Sequence, residues 1–296
     1  MARLSLRPPL ILAGILLAAG VAGCATLDNW QRKAIFQHEG AGMDARWASA
    51  QPPPATEAFD LALPNGDSVH AWYREAGPEA PTVLFLHGAR HNLYASQYRI
   101  ERLAGLGLNV LAIDYRGFGR STPMLPSEAS ALEDALAAFD ELTRRQPDPR
   151  RRFVYGYSLG GAIAIALAAE RDGLAGVVVE SSFTSIPELI RASRWGWVPF
   201  LGVAVTQEFD SRSRIGRVNE PLLLVHGTAD GVIPHTMSDE LLAAATGVPP
   251  DYKRLVKIEG ANHRGAPFVD RGSFDNALRE FVAQARQAAP VATLSN

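Results

Sequence analysis

Ser158 stands in Gly156-Tyr157-Ser158-Leu159-Gly160, and its surroundings suit a nucleophile. The apolar run Phe153-Val154-Tyr155 before it reads as a buried strand, and Ala162 to Glu170 after it is rich in strong helix formers. A strand that turns directly into a helix strains the corner residue and pushes its side chain out of the sheet. Gly156 and Gly160 fit such a corner because a Cβ at either would clash across it. The Ser158 hydroxyl then lies at a helix N-terminus, where free amides and the helix dipole favour developing negative charge. A bare Gly-x-Ser-x-Gly recurs by chance; the strand before it, the helix after it, and the acid and histidine downstream give it chemical meaning.

A serine hydroxyl needs an adjacent base at neutral pH. His263 follows the last strand-like run, in the loop Glu259-Gly260-Ala261-Asn262-His263-Arg264-Gly265, and is placed to serve. His87 and His226 end strands directly before Gly88 and Gly227 and read as turn-shaping residues. His38, His70, His91 and His235 read as surface or rim positions. The base in turn needs an orienting carboxylate. Asp230, at the tip of the next-to-last strand, is the expected acid, with Glu180 as its rival. Asp114, in Asp114-Tyr115-Arg116-Gly117-Phe118-Gly119, reads as a scaffold carboxylate. The oxyanion of an acyl-transfer intermediate needs two donors. The Leu159 amide is one, and Ala89, after His87-Gly88, is expected to supply the other.

These residues must be positioned by strands. Two alternating segments between Glu57 and Tyr73 flank Pro64-Asn65-Gly66-Asp67, and Asn-Gly tolerates the positive φ of a tight hairpin. The runs Thr82–Leu86, Asn109–Ile113, Phe153–Tyr155, Gly176–Val179, Leu222–Val225 and Lys253–Ile258 mostly lack polar alternation, as strands buried on both faces do. Helix-like segments near 94–105, 127–145, 159–171, 185–192, 237–246 and 271–287 separate them. This alternation predicts one doubly wound α/β domain, whose ligands bind beyond the carboxyl ends of the strands.

The 296 residues, 47% hydrophobic and with formal charge −2, hold enough for one substantial core and carry no basic field for nucleic acid. Cys24 is the single cysteine, so neither a disulfide framework nor a cysteine metal site is expected. Arg3 and Arg7 precede an apolar run from Leu10 to Val21 that is shorter than the roughly 20 residues of a membrane span. It ends in Val21-Ala22-Gly23-Cys24, which resembles the lipobox of bacterial lipoproteins. That resemblance implies a signal peptide over residues 1–23, acylation of Cys24, and a membrane-anchored protein of the bacterial cell envelope facing the periplasm. Residues 24–56 read as a tether. Within it Leu27, Trp30, Ala34 and Ile35 share a helical face, able to dock on the domain or to lie on a membrane, and Gln51-Pro52-Pro53-Pro54 forms a stiff spacer. Residues 289–296 read as a disordered tail.

The elbow, the His87-Gly88 turn, the Asp114–Gly119 loop, the His226-Gly227-Thr228-Ala229-Asp230 turn and His263 together resemble the α/β-hydrolase superfamily over residues 57–288. Within it the chain is similar to bacterial serine hydrolases of the depalmitoylase-like and monoacylglycerol-lipase-like groups. The resemblance implies a mostly parallel sheet of about eight strands with a small helical lid. It also implies Ser158 as nucleophile, Asp230 as acid, His263 as base, Ala89 and Leu159 as the oxyanion hole, and no metal or cofactor. Two departures stand out. Ala89-Arg90-His91-Asn92 replaces the glycine-rich run of many lipases, and the insertion between Glu180 and Pro221 is short. Ser181–Ser185 and Val198–Leu201 are expected to build the lid, with Phe183, Trp195, Trp197, Phe200 and Leu201 lining an acyl pocket. The expected activity is hydrolysis of a small-molecule or lipid-like ester or thioester. An aminopeptidase-like amide hydrolase and a non-catalytic binding lipoprotein are the alternatives, and no protein partner is indicated.

Overall fold

The computed structural model describes residues 23–37, 51–193 and 204–288. Eight strands form one sheet in the order β1-β2-β4-β3-β5-β6-β7-β8. β1 (Thr56–Ala62) and β2 (Ser68–Arg74) are the expected hairpin, closed around Asn65-Gly66 and paired from Thr56 against Arg74 to Ala62 against Ser68. β2 also pairs antiparallel with β4 (Asn109–Ile113), and every other neighbour is parallel. The parallel strands β3 (Thr82–Leu86), β5 (Arg152–Tyr157), β6 (Gly176–Glu180) and β7 (Leu222–Gly227) are buried almost throughout, because helices cover both faces. The outer strand β8 (Lys253–Ile258) is half-buried or exposed up to its buried last residue and carries Lys253, Arg254 and Lys257, charges that suit an open sheet edge.

Helix α1 covers residues 23–36 of the described chain. The helices that follow are α2 (Gln97–Gly105), α3 (Glu128–Arg145), α4 (Leu159–Ala168), α5 (Ile186–Ala192), α6 (Ser211–Ile215), α7 (Thr236–Ala244), α8 (Ala266–Val269) and α9 (Arg271–Ala288). The short α6 and α8 have too few residues to show a period, and they escape a sequence reading. The sheet divides the core in two. One face packs against α3, α4 and α7, and the other against α2 and α9. Every residue of α4 is buried, so the helix that follows Ser158 is fixed at the centre of the molecule.

α1 docks on the domain, one of its two expected uses, but through a face other than the one expected. Phe36 is fully buried, with its ring 6.3 Å from Phe118 and 5.8 Å from Phe209. Gln31 donates to the Ala204 carbonyl and accepts from the Thr206 amide, while Arg32 donates to the carbonyls of Leu125 and Pro126. Leu27, Trp30 and Ala34 line a cavity instead of the core, and Ile35 lines it while also packing against the core.

Candidate active site

The strain foreseen at the elbow is present. Ser158 has φ 55° and ψ −119°, a left-handed conformation disfavoured for a residue with a Cβ. Its amide donates to the Glu180 carbonyl at 2.8 Å and its carbonyl accepts from Ser182 Oγ at 2.9 Å, so neighbouring backbone and side chain hold the corner from both ends. A Cβ on Gly156 would strike the Gly160 carbonyl, and one on Gly160 would strike the Leu86 carbonyl.

Three residues far apart in the chain meet here. His263 Nε2 lies 3.1 Å from Ser158 Oγ, and His263 Nδ1 lies 2.7 Å from Asp230 Oδ2. With Nδ1–H donating to the carboxylate, Nε2 keeps its lone pair for the serine proton. Asp230 Oδ1 accepts from the amides of Val232 at 2.8 Å and Ile233 at 2.9 Å. Burial pushes the Asp230 carboxyl up, but hydrogen bonds from His226, His263 and the Ile233 amide outweigh it and hold the group well below the usual carboxylate range. The group is therefore an anion at neutral pH, as an orienting acid must be.

Glu180, the rival acid, is committed elsewhere. Its two oxygens accept from Arg99 at 3.0 and 2.8 Å, and Tyr155 Oη–H donates to one of them at 2.5 Å. The Arg99 guanidinium lies 3.7 Å from the centre of the Tyr157 ring, and Tyr157 Oη donates to the His263 carbonyl at 3.3 Å. This buried pair forms the floor beneath the base. Asp114 is a buried scaffold group as expected: Oδ1 accepts from the Leu93 amide at 2.8 Å.

The histidine assignments need three corrections. His226 does more than shape a turn: its Nε2–H reaches Asp230 Oδ2 at 3.0 Å, and its Nδ1 meets Ser238 Oγ at 2.6 Å. It is a second imidazole on the same carboxylate, and its spacing of four residues from Asp230 was the signal available in the sequence. His70 is buried, not at the surface, with Nδ1 2.7 Å from Asp60 Oδ1. His91 is also buried, beside Tyr157, with ring centres 5.9 Å apart. His87 does shape its turn, donating from Nδ1 to the Gly88 carbonyl at 2.8 Å, and burial pushes it down to about 3. His38 lies outside the described residues.

The Leu159 amide opens α4 and the Ala89 amide follows Gly88, where an added Cβ would come within 3.1 Å of the Ser158 Cβ. Neither amide has an acceptor among the described residues. Two unspent donors beside a strained serine are the arrangement an oxyanion requires.

Ser158 opens onto an apolar cavity of about 670 Å³, a size typical of small-molecule sites. Phe183 lines it as expected. Trp195, Trp197, Phe200 and Leu201 lie outside the described residues. The walls that sequence reasoning missed are the α1 stripe and Ile186, Leu189 and Ile190 of α5. Ser181–Ser185 does not form a lid. It is buried framework at the end of β6, with Ser181 at φ 51° and Ser182 bonded to the elbow.

A central parallel sheet, a strained serine between β5 and α4, and an acid and a histidine on the loops after β7 and β8 define the class. The chain belongs to the α/β-hydrolase superfamily. A family model described as serine aminopeptidase, S33 matches residues 77–207. An uncharacterized protein of Mycobacterium tuberculosis is 31% identical over 93% of this chain and 95% of its own. YfhR of Escherichia coli is 30% identical over 74% of this chain and 77% of its own. Among solved structures, an esterase of Pyrococcus furiosus superimposes with a TM-score of 0.65 at 22% identity, covering 77% of this chain and 92% of the esterase. A puromycin-hydrolyzing peptidase of Mycobacterium tuberculosis gives 0.60 at 21% identity over 79% of this chain and 40% of the peptidase. At such identities these structures share the fold with this chain.

Proposed function

We propose that the protein is a serine hydrolase that cleaves carboxylic esters or thioesters of apolar acyl groups through an acyl-enzyme on Ser158. One observation carries the reading: the chain of contacts from Asp230 through His263 to Ser158 Oγ ends at the mouth of an apolar cavity. His263 Nε2 takes the Ser158 proton as Oγ bonds to the carbonyl carbon, and the amides of Ala89 and Leu159 receive the oxyanion. The tetrahedral intermediate collapses, the bond to the leaving oxygen or sulfur breaks, and His263 returns the proton to it. Water then gives a proton to His263, attacks the acyl carbon and frees the acid, restoring Ser158. Asp230 stays ionised throughout and stabilises the imidazolium. Similarity of the motifs to the depalmitoylase-like and monoacylglycerol-lipase-like groups supports an acyl substrate.

The same three residues would cleave an amide, and the matching family's description supports an aminopeptidase as the second reading. A free substrate amine calls for a carboxylate in the site. Among the described residues no Asp or Glu lines the apolar cavity at Ser158, which favours the ester. The test uses a fluorophosphonate probe with p-nitrophenyl esters of increasing chain length and aminoacyl amides. Wild type should take the probe and turn over the esters, and Ser158→Ala should do neither. Turnover of the amides alone would replace the ester reading with the peptidase.

Cys24 is exposed near the start of α1, and α1 walls the cavity. Acylation there would set the cavity beside a bilayer, since each buried methylene contributes about 0.8 kcal/mol to anchoring. Cys24→Ala should move the protein out of the membrane fraction or block its processing. An unchanged distribution would remove the anchor from the proposal.

A further inference from the structure

Ser158 borders a second cavity as well as the apolar one. It measures about 410 Å³ and lies on the His263 side of the nucleophile. It shares Gln37, Ala89, Ser158 and Val232 with the first and is the more polar of the two. Arg90 and Arg264 both line it, and no Asp or Glu does among the described residues. Neither guanidinium forms an ion pair among the described residues, whereas Arg99 and Arg116 are locked in salt bridges. Arg90 is held at φ 64°, a conformation unusual for a residue with a Cβ, and its amide is tied to the Phe36 carbonyl at 3.0 Å. The main chain of this exposed arginine is thus held between α1 and Ala89, an expected oxyanion donor. Arg264 directly follows the base. His91 lines the same cavity. Burial first, and then the Arg264 charge, push it down to about 4, so it is a neutral polar group at physiological pH.

An acyl ester has two halves joined at the carbonyl. With the acyl half in the apolar cavity, the departing alcohol or thiol lies on the other side of Ser158, toward the histidine that must protonate it. That side presents two exposed cations without counterions among the described residues, and the chemistry that matches guanidinium groups lining one cavity is phosphate. We propose that Arg90 and Arg264 form a leaving-group subsite for phosphorylated alcohols or thiols, making this protein selective for acyl esters or thioesters whose departing half carries phosphate. The subsite rests on the ester-hydrolase reading of Ser158. A phosphorylated lipid headgroup and the phosphates of coenzyme A both supply the chemistry.

The test compares matched pairs in the full-length protein. Decanoyl coenzyme A is set against the decanoyl thioester of N-acetylcysteamine, and 1-decanoyl lysophosphatidylglycerol against 1-decanoylglycerol. Within each pair the scissile bond and acyl chain are the same, and one leaving group carries a phosphate-bearing extension that the other lacks, so the arginine variants and the salt dependence assign the effect to phosphate. The expected result is a kcat/KM ratio of phosphorylated to neutral substrate above ten in at least one pair. That ratio should fall at least tenfold in R90N/R264Q, with R264Q alone in between, and should shrink as salt rises. Asn at position 90 tolerates the left-handed backbone, so the substitution keeps the loop. The pair that responds identifies the source of the phosphate. Neutral and phosphorylated substrates turned over alike, with ratios that R90N/R264Q does not move, would overturn the subsite and leave the hydrolase standing. No turnover of any of the four by wild type would remove the hydrolase reading itself, and the subsite with it.

Discussion

Asp230→Asn isolates the role of the buried carboxylate, because the structure dictates how the new amide must sit. Oδ1 accepts from the Val232 and Ile233 amides, so the asparagine oxygen stays on that side. The NH₂ group then takes the place of Oδ2 and faces His263 Nδ1, 2.7 Å away in wild type, and His226 Nε2, 3.0 Å away. Two donors cannot share that space. His226 can turn its proton to the Ile233 carbonyl, already 3.1 Å away. His263 has no such outlet among the described residues and must carry its proton on Nε2, which then cannot accept from Ser158. A triad held in the wrong tautomer loses about 10⁴ in kcat, roughly 5 kcal/mol of transition-state stabilisation. KM should move little, because Asp230 does not itself line the apolar cavity and its bond to the lining residue Val232, through Oδ1, is kept in the variant. The assay is hydrolysis of a medium-chain p-nitrophenyl ester, with circular dichroism and a thermal melt to show the fold retained. A loss below tenfold in a folded variant would mean that His263 does not depend on this carboxylate, and the proposed chemistry would fail.

Other substitutions probe the cavity, the floor and the titrating scaffold. Ile190→Trp intrudes on the apolar cavity, so kcat/KM for long-chain esters should fall about tenfold relative to acetyl esters; an unchanged chain-length profile would show that the acyl group lies elsewhere. Arg99→Met leaves Glu180 buried without its cation, and urea denaturation should show a loss of about 3–5 kcal/mol; a loss under about 1 kcal/mol would mean that the pair is solvated. Phe36→Ala removes the anchor of α1 and should cost about 3–5 kcal/mol, unless α1 detaches, in which case the melt stays put and long-chain activity falls. Burial pushes Asp114 up to about 7, against hydrogen bonds from the Leu93 and Arg120 amides. Its folded value lies above the ordinary value near 4, so the folded state binds the proton more tightly and stability falls as pH rises from about 4 to 7. Asp114→Asn abolishes that titration, so its stability relative to wild type should rise between pH 4 and pH 8; a flat difference contradicts the assignment. His87, pushed down to about 3, has the opposite sign, and the stability it confers is lost as pH falls below about 6.5.

Much of this molecule is local, and local features are legible in the chain. Asn65-Gly66 marks a hairpin because few residue pairs tolerate its backbone. The runs from Thr82 to Leu86 and from Leu222 to Val225 are apolar at nearly every position because both faces of the sheet are covered, and that pattern survives in one dimension. Gly156, Ser158 and Gly160 announce the elbow because the steric demand acts within five residues. Ser158, Asp230 and His263 were each visible at the end of a strand, and in this topology the carboxyl ends of parallel strands share one rim.

What tertiary structure alone decided depends on which groups compete for the same partner. Glu180 and Asp230 look alike in the sequence. Strand order favours Asp230, and tertiary structure shows why Glu180 is not the acid: Arg99 claims Glu180, and His263 claims Asp230. Ser181–Ser185 left the lid because burial and hydrogen bonding there are settled by residues distant in sequence, whereas His226 joined the site through Asp230, four residues on. The stripe on α1 is the sharpest case. A helical period tells that Leu27, Trp30, Ala34 and Ile35 share a face, but the same apolar face can meet a core, a membrane or a cavity, since the hydrophobic effect has no direction. Only the docking of Gln31 and Phe36 turned that face toward Ser158.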